Sequence, residues 1–109
     1  MEKKVFNCIM LDLYGEFLTS RQREMADLCF NQDMSLSEIA AEFGITRQGV
    51  RDALQRAERT LSEMEDKLHL AQRELSLRAG IGQCRALLAA GDYEALETQL
   101  ERIENELQS

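Results

Sequence analysis

The chain is predicted to be an all-α protein, a helix-turn-helix continued by a long C-terminal helical extension. Three observations point there. Proline and tryptophan are absent and only 6% of the 109 residues are aromatic, while the strong helix formers Leu, Ala, Glu, Gln and Arg dominate and strand formers are scarce. Apolar residues recur at three- and four-residue intervals along most of the chain. Between Leu36 and Ala57 a small residue, a glycine and apolar anchors fall where two steeply crossing helices need them. A chain of 109 residues, 44% of them hydrophobic, has material for one modest core. That core is placed in residues 1–60, with residues 61–109 as an extension for dimerisation or partner binding.

The elements follow in order. Val5, Phe6, Ile9, Met10, Leu13, Tyr14 and Phe17 lay an apolar stripe along a first helix that stops near Gly15. Thr19 and Gln22 form a capping box for a second helix, with Met25, Leu28 and Cys29 facing inward. Ser35 and Glu38 form another, opening a short helix through Leu36, Ile39, Ala40 and Phe43 that Gly44 terminates. Thr46 then caps a long helix expected to run unbroken to Gly80, roughly 45 Å at about 1.5 Å per residue. Val50, Leu54, Ala57, Leu61, Met64, Leu68, Ala71 and Leu75 make a heptad seam along it, whose second half lies beyond the reach of the preceding helices. Gly80 and Gly82 are expected to break the pattern before a short helix with Cys84, Leu87 and Leu88. Gly91 stops that helix and Asp92 caps a last one, carrying Tyr93, Leu96, Leu100, Ile103 and Leu107 as a second seam.

Several functions are excluded on chemical grounds. Asn7, Asp12 and Glu16 interrupt the first apolar run, so neither a signal peptide nor a spanning helix fits, and a cytoplasmic protein without membrane insertion is expected. Cys8, Cys29 and Cys84 are odd in number, widely spaced and set in helical patterns, as reduced core thiols are. His69 is the sole histidine and has no patterned nucleophile near it. Gly80-Ile81-Gly82 follows a helix and lacks the third glycine of a dinucleotide site. Glu63, Glu65 and Asp66 read as a solvated helix face. No catalysis, small-molecule substrate, cofactor or metal is expected, since no set of Cys, His and carboxylate has ligand spacing.

The helix-turn-helix carries the chemistry. Ala40 is the small residue at the crossing, Gly44 the turn, and Ile39, Ile45, Val50 and Leu54 the anchors. The start of the second helix is thereby left to protrude, as entry into a major groove requires. Arg47, Gln48, Arg51 and Gln55 can pair with base edges, while Thr46, Arg56 and Arg59 can address phosphates. Against this stands the charge, −7 over the chain. Residues 1–60 hold eight basic and ten acidic side chains, and residues 61–109 hold five and ten. Such acidity opposes indiscriminate binding to polyanions. Leu61, Met64, Leu68, Ala71 and Leu75, with Leu96, Leu100 and Ile103, are the candidate homodimer interface.

Leu13 to Leu68, through Tyr14-Gly15-Glu16, Leu18-Thr19, Gln22-Arg23-Glu24, Ser35-Leu36-Ser37-Glu38-Ile39-Ala40 and Gly44-Ile45-Thr46-Arg47-Gln48-Gly49-Val50, resembles the YlxM family of small bacterial helix-turn-helix proteins. Such proteins are similar to the sigma-factor domain that reads the −35 promoter element, which implies a sigma-region-4-like fold of the winged-helix-like superfamily without a wing. Their genes typically adjoin that of the signal recognition particle GTPase. The resemblance therefore implies a regulatory or accessory protein of that pathway, whose partner is a protein or ribonucleoprotein component of the particle. A sequence-specific transcriptional regulator bound to duplex DNA is the alternative, and a structural adaptor binding through its tail the third.

Overall fold

The computed structural model describes residues 3–108, which are almost entirely helical. Helix α1 spans Lys3–Tyr14 and runs into a single 3-10 turn, Gly15–Phe17; α2 spans Ser20–Phe30, α3 Leu36–Phe43, α4 Arg47–Leu68, α5 Leu70–Ala90 and α6 Tyr93–Gln108. The chain divides into two compact units, Met1–Ala71 and Gln72–Ser109. The first therefore extends past residue 60, because α4 goes on burying side chains beyond that point.

Local chemistry sets the early boundaries where the sequence places them. The Thr19 hydroxyl accepts the Gln22 N–H at 3.1 Å while the Gln22 side chain accepts the Thr19 N–H at 3.1 Å. Ser35 and Glu38 repeat the exchange at 3.1 and 3.0 Å, and the Ser35 N–H, with the Ser35 hydroxyl next, holds the Glu38 carboxyl below the usual glutamate range. Each box satisfies two N–H groups that a helix start leaves without intrahelical partners.

Around α4 pack α1, α2 and α3. Met25, Ala26, Ile39, Val50, Ala57 and Leu61 are wholly enclosed. The stripe expected on α1 is rotated. Ile9, Met10 and Tyr14 are buried and Phe6 half-buried, but Val5, Leu13 and Phe17 face outward, while Asn7 and Leu11 are inside. α1 touches both α2 and α4; Asn7, Met10, Leu11 and Tyr14 share one covered arc at three- and four-residue steps, while Ile9 is buried on the side of Val5 and Leu13. The three cysteines are free thiols and half-buried. Cys8 donates to the Phe30 carbonyl at 3.3 Å, and burial, helped by the charges of Glu58 and Asp33, pushes the Cys29 thiol up.

The long helix expected to reach Gly80 is broken at His69, which takes the left-handed conformation (φ 56°). The cause lies in tertiary structure. Tyr14 Oη donates to Glu65 Oε1 at 2.7 Å, the same carboxylate oxygen accepts the Ala71 N–H at 2.9 Å, and the Tyr14 hydroxyl accepts the Leu70 N–H at 3.2 Å. A side chain from α1 and one from α4 thus cap a new helix start, supplying acceptors for N–H groups that the break exposes. Glu65 is therefore buried, not part of a solvated face; Glu63 and Asp66 are exposed as expected. Burial, with the hydrogen bond to Glu65 next, pushes the Tyr14 hydroxyl up.

The second unit is a helical hairpin. α5 runs straight through Gly80 and Gly82, so the short separate helix expected around Cys84 does not exist. Gly80 is buried, and a Cβ there would lie 3.0 Å from Ile103 Cδ1. Its place in the sequence serves the close approach of α6 and no turn. The actual turn is Gly91 (φ 73°), followed by Asp92, whose carboxylate accepts the Ala95 N–H at 3.1 Å. Arg73 reaches the Leu107 carbonyl at 3.2 Å and Ser76 the Glu106 carboxylate at 3.3 Å, which fixes α5 and α6 as antiparallel.

The candidate nucleic-acid interface

The turn between α3 and α4 is built from three residues. Gly44 adopts φ 67°, a conformation that a side chain would strain, and the Ile45 N–H reaches back to the Ala40 carbonyl at 3.1 Å. Thr46 then caps α4, its hydroxyl accepting the Gly49 N–H at 3.0 Å. Gly49 is closely confined by this cap, since a Cβ there would meet Thr46 Oγ1 at 3.3 Å and Ile45 Cδ1 at 3.5 Å. Ala40 is buried at the crossing, with Ile39 and Val50 fully enclosed and Leu54 nearly so. α3 is tied to α2 from outside as well, where the Arg21 guanidinium stacks 5.6 Å above the Phe43 ring.

With Val50, Leu54, Ala57 and Leu61 directed into the core, the opposite face of α4 is turned outward. Thr46, Arg47, Gln48, Arg51, Gln55, Arg56 and Arg59 are all exposed on it. Four guanidinium groups along residues 47–59, against Asp52 and Glu58, give this face a positive balance within an acidic chain. Such a stripe suits a polyanion or an acidic partner surface. One detail modifies it: Gln48 Nε2 donates to Asp52 Oδ1 at 2.8 Å. The amide that would pair with adenine through both its donor and its acceptor has the donor engaged, and a carboxylate stands beside it.

The candidate interface residues of the seam are split. Leu61 and Ala71 are completely enclosed by their own chain and offer no contact surface. Met64, Leu75, Leu96 and Ile103 are half-buried, and Leu68 and Leu100 stay exposed. The seam's second half is beyond the early helices only in sequence: Leu61 and Glu65 are interior residues of the first unit. The Tyr14–Glu65 pair escaped sequence reasoning, although the four-residue step from Leu61 to Glu65 extends the inward face and could have signalled it.

An open groove of about 430 Å³ beside α1 and α2 is lined by Leu11, Ser20, Arg23 and Asn31, with the carboxylates of Asp12, Glu24 and Asp27. Among the described residues no group of three or more His, Cys, Asp or Glu is placed to hold a metal ion, and no helix is long and apolar enough to cross a membrane.

Comparison with known proteins bears on this geometry. Residues 1–88 match the model of the UPF0122 family, described as "Putative helix-turn-helix protein, YlxM / p13 like". A UPF0122 protein of Clostridium kluyveri is 43% identical over 77 residues, covering 71% of this chain and 69% of that protein. Another, from Acetivibrio thermocellus, is 45% identical over 75 residues, 69% of this chain and 64% of its own. A third, from Bacillus mycoides, is 35% identical over 106 residues, 95% of this chain and 96% of that protein.

Proposed function

Because the chain belongs to the UPF0122 family of YlxM/p13-like helix-turn-helix proteins, we propose that it is a non-enzymatic accessory or regulatory protein of the signal recognition particle pathway. In this reading it works in the cytoplasm as a homodimer. The α4 face of Arg47, Arg51, Gln55, Arg56 and Arg59 engages a protein or ribonucleoprotein component of the particle. The observation that carries it over operator reading is the Gln48–Asp52 hydrogen bond. It occupies a base-reading donor and holds a carboxylate where phosphates would pass, at a cost that a protein surface without a regular run of phosphates there does not incur.

A second reading is a transcriptional regulator whose Arg47, Arg51 and Gln55 read an operator. Their exposure on the first turns of the second helix favours it. Salt separates the two. A dimer carrying Arg47, Arg51, Arg56 and Arg59 twice makes at most about eight phosphate contacts, with a salt slope near −0.9 for each. Its affinity for duplex works against a charge of −7 on each chain.

The test combines capture from lysate, with and without nuclease, and duplex binding at rising salt. An accessory protein loses duplex by about 150 mM salt and still retains signal recognition particle protein or RNA. Selection from random duplexes that recovers a palindrome bound at nanomolar affinity at that salt, with base preference relaxed by Arg51→Ala, would establish the operator reading in its place.

A further inference from the structure

The second unit buries very little. No side chain of α6 is buried, although the helix carries a complete seam of Tyr93, Leu96, Leu100, Ile103 and Leu107. α5 covers only alternate members. Leu96 and Ile103 are half-buried, Ile103 lying against Gly80, while Tyr93, Leu100 and Leu107 remain 43% to 68% exposed. On α5 the same split holds: Leu77, Cys84 and Leu87 are half-buried beside Gly80, and Ile81 and Leu88 are 54% and 57% exposed.

The two exposed sets lie on one side of the hairpin. Successive helical residues turn by about 100°, so Ile81 and Leu88 sit roughly 60–80° ahead of the middle of α5's covered arc. Tyr93, Leu100 and Leu107 sit ahead of α6's covered arc in the same sense. Because the helices are antiparallel, equal rotations on facing helices turn both stripes to the same side. The register of the Gly80–Ile103 and Ser76–Glu106 contacts puts Leu88 level with Tyr93 and Ile81 level with Leu100.

We propose that this face, Ile81 and Leu88 with Tyr93, Leu100 and Leu107, docks on the same face of a second copy of the chain, closing a four-helix bundle around the two-fold axis. Charge selects the occupant. α5 carries three arginines and one glutamate, α6 five glutamates and one arginine, so an isologous pair that sets α5 against the partner subunit's α6 matches opposite charges at both flanks. The interface therefore differs from the seam through Leu61 and Ala71, which its own chain has already covered.

The proposal deepens the dimeric reading above and rests on it, and the two fail differently. Sedimentation velocity of the whole chain at tens of micromolar is expected to show a dimer. Leu100→Glu and Ile81→Glu, at positions exposed within the chain, are expected to give the monomer mass, while Leu68→Glu, on the exposed remnant of the seam, leaves the dimer intact. Amide exchange on the unaltered protein supplies a check that needs no variant: diluting through the dissociation range is expected to speed exchange in α5 and α6 and leave α2 and α3 unchanged. A parent protein monomeric at those concentrations overturns both readings. A dimer that survives Leu100→Glu and Ile81→Glu, or that Leu68→Glu dissolves, overturns this face alone, as does a concentration effect confined to the first unit.

Discussion

Both compact units contain a heptad seam, and they put it to different use. In the first, α4 lies among α1, α2 and α3, and its inward residues Val50, Ala57 and Leu61 are sealed from solvent. In the second, α6 lies against α5 and buries nothing completely. A seam is a demand that one stripe of a helix be covered, and it does not specify by what. Three neighbours meet the demand within the chain, and one neighbour meets about half of it. The same pattern therefore marks a finished core in one region and an unfinished one in the other.

The largest effect expected from that contrast is at Leu61. Leu61→Ala should cost about 2–5 kcal/mol, since it opens a cavity in a closed core, and Leu100→Ala under about 1 kcal/mol, since its half-exposed site collapses into solvent. Urea denaturation at sub-micromolar concentration, comparing midpoints at unchanged slope, measures both. Equal losses would erase the distinction between the units.

The joint where the two regions meet in sequence comes next. Tyr14→Phe leaves the buried Glu65 without one donor and should cost about 1–3 kcal/mol. It should also alter the alkaline limb of stability. Burial and the bond to Glu65 raise the native Tyr14 hydroxyl above its ordinary value, so its neutral form is favoured in the fold. That contribution is fully present below pH about 10 and is lost as pH rises through the raised value. Thermal melts of the parent should fall more steeply there than those of Tyr14→Phe; parallel curves would show that the hydroxyl does not hold the joint.

The smallest effect distinguishes the two glycines of α5. Gly82 lies mid-helix with open space where a Cβ would go, and Gly82→Ala should gain about 0.5–1 kcal/mol. Gly80→Ala should fall short of that gain because its methyl meets Ile103 at 3.0 Å. Differential scanning calorimetry of the two variants ranks them, and a Gly80→Ala protein as stable as Gly82→Ala would mean that α6 does not depend on the close approach.

What the residues determine alone is local. The capping boxes at Thr19 and Ser35, the left-handed Gly44, the Thr46 cap and the Gly91–Asp92 stop and start all formed where the sequence places them, because each is made by residues within a few positions of one another. So did the exposed face from Arg47 to Arg59, which follows from the inward anchors on the same helix by periodicity. Tertiary structure decided the rest. Whether a helix breaks at His69 depends on Tyr14 and Glu65, 51 residues apart, meeting over the freed N–H groups of Leu70 and Ala71. Whether Gly80 stops a helix or admits a neighbour depends on Ile103 arriving from α6. Which members of a seam are covered depends on how many helices surround it, and that number belongs to the packing of distant segments, which no local pattern encodes.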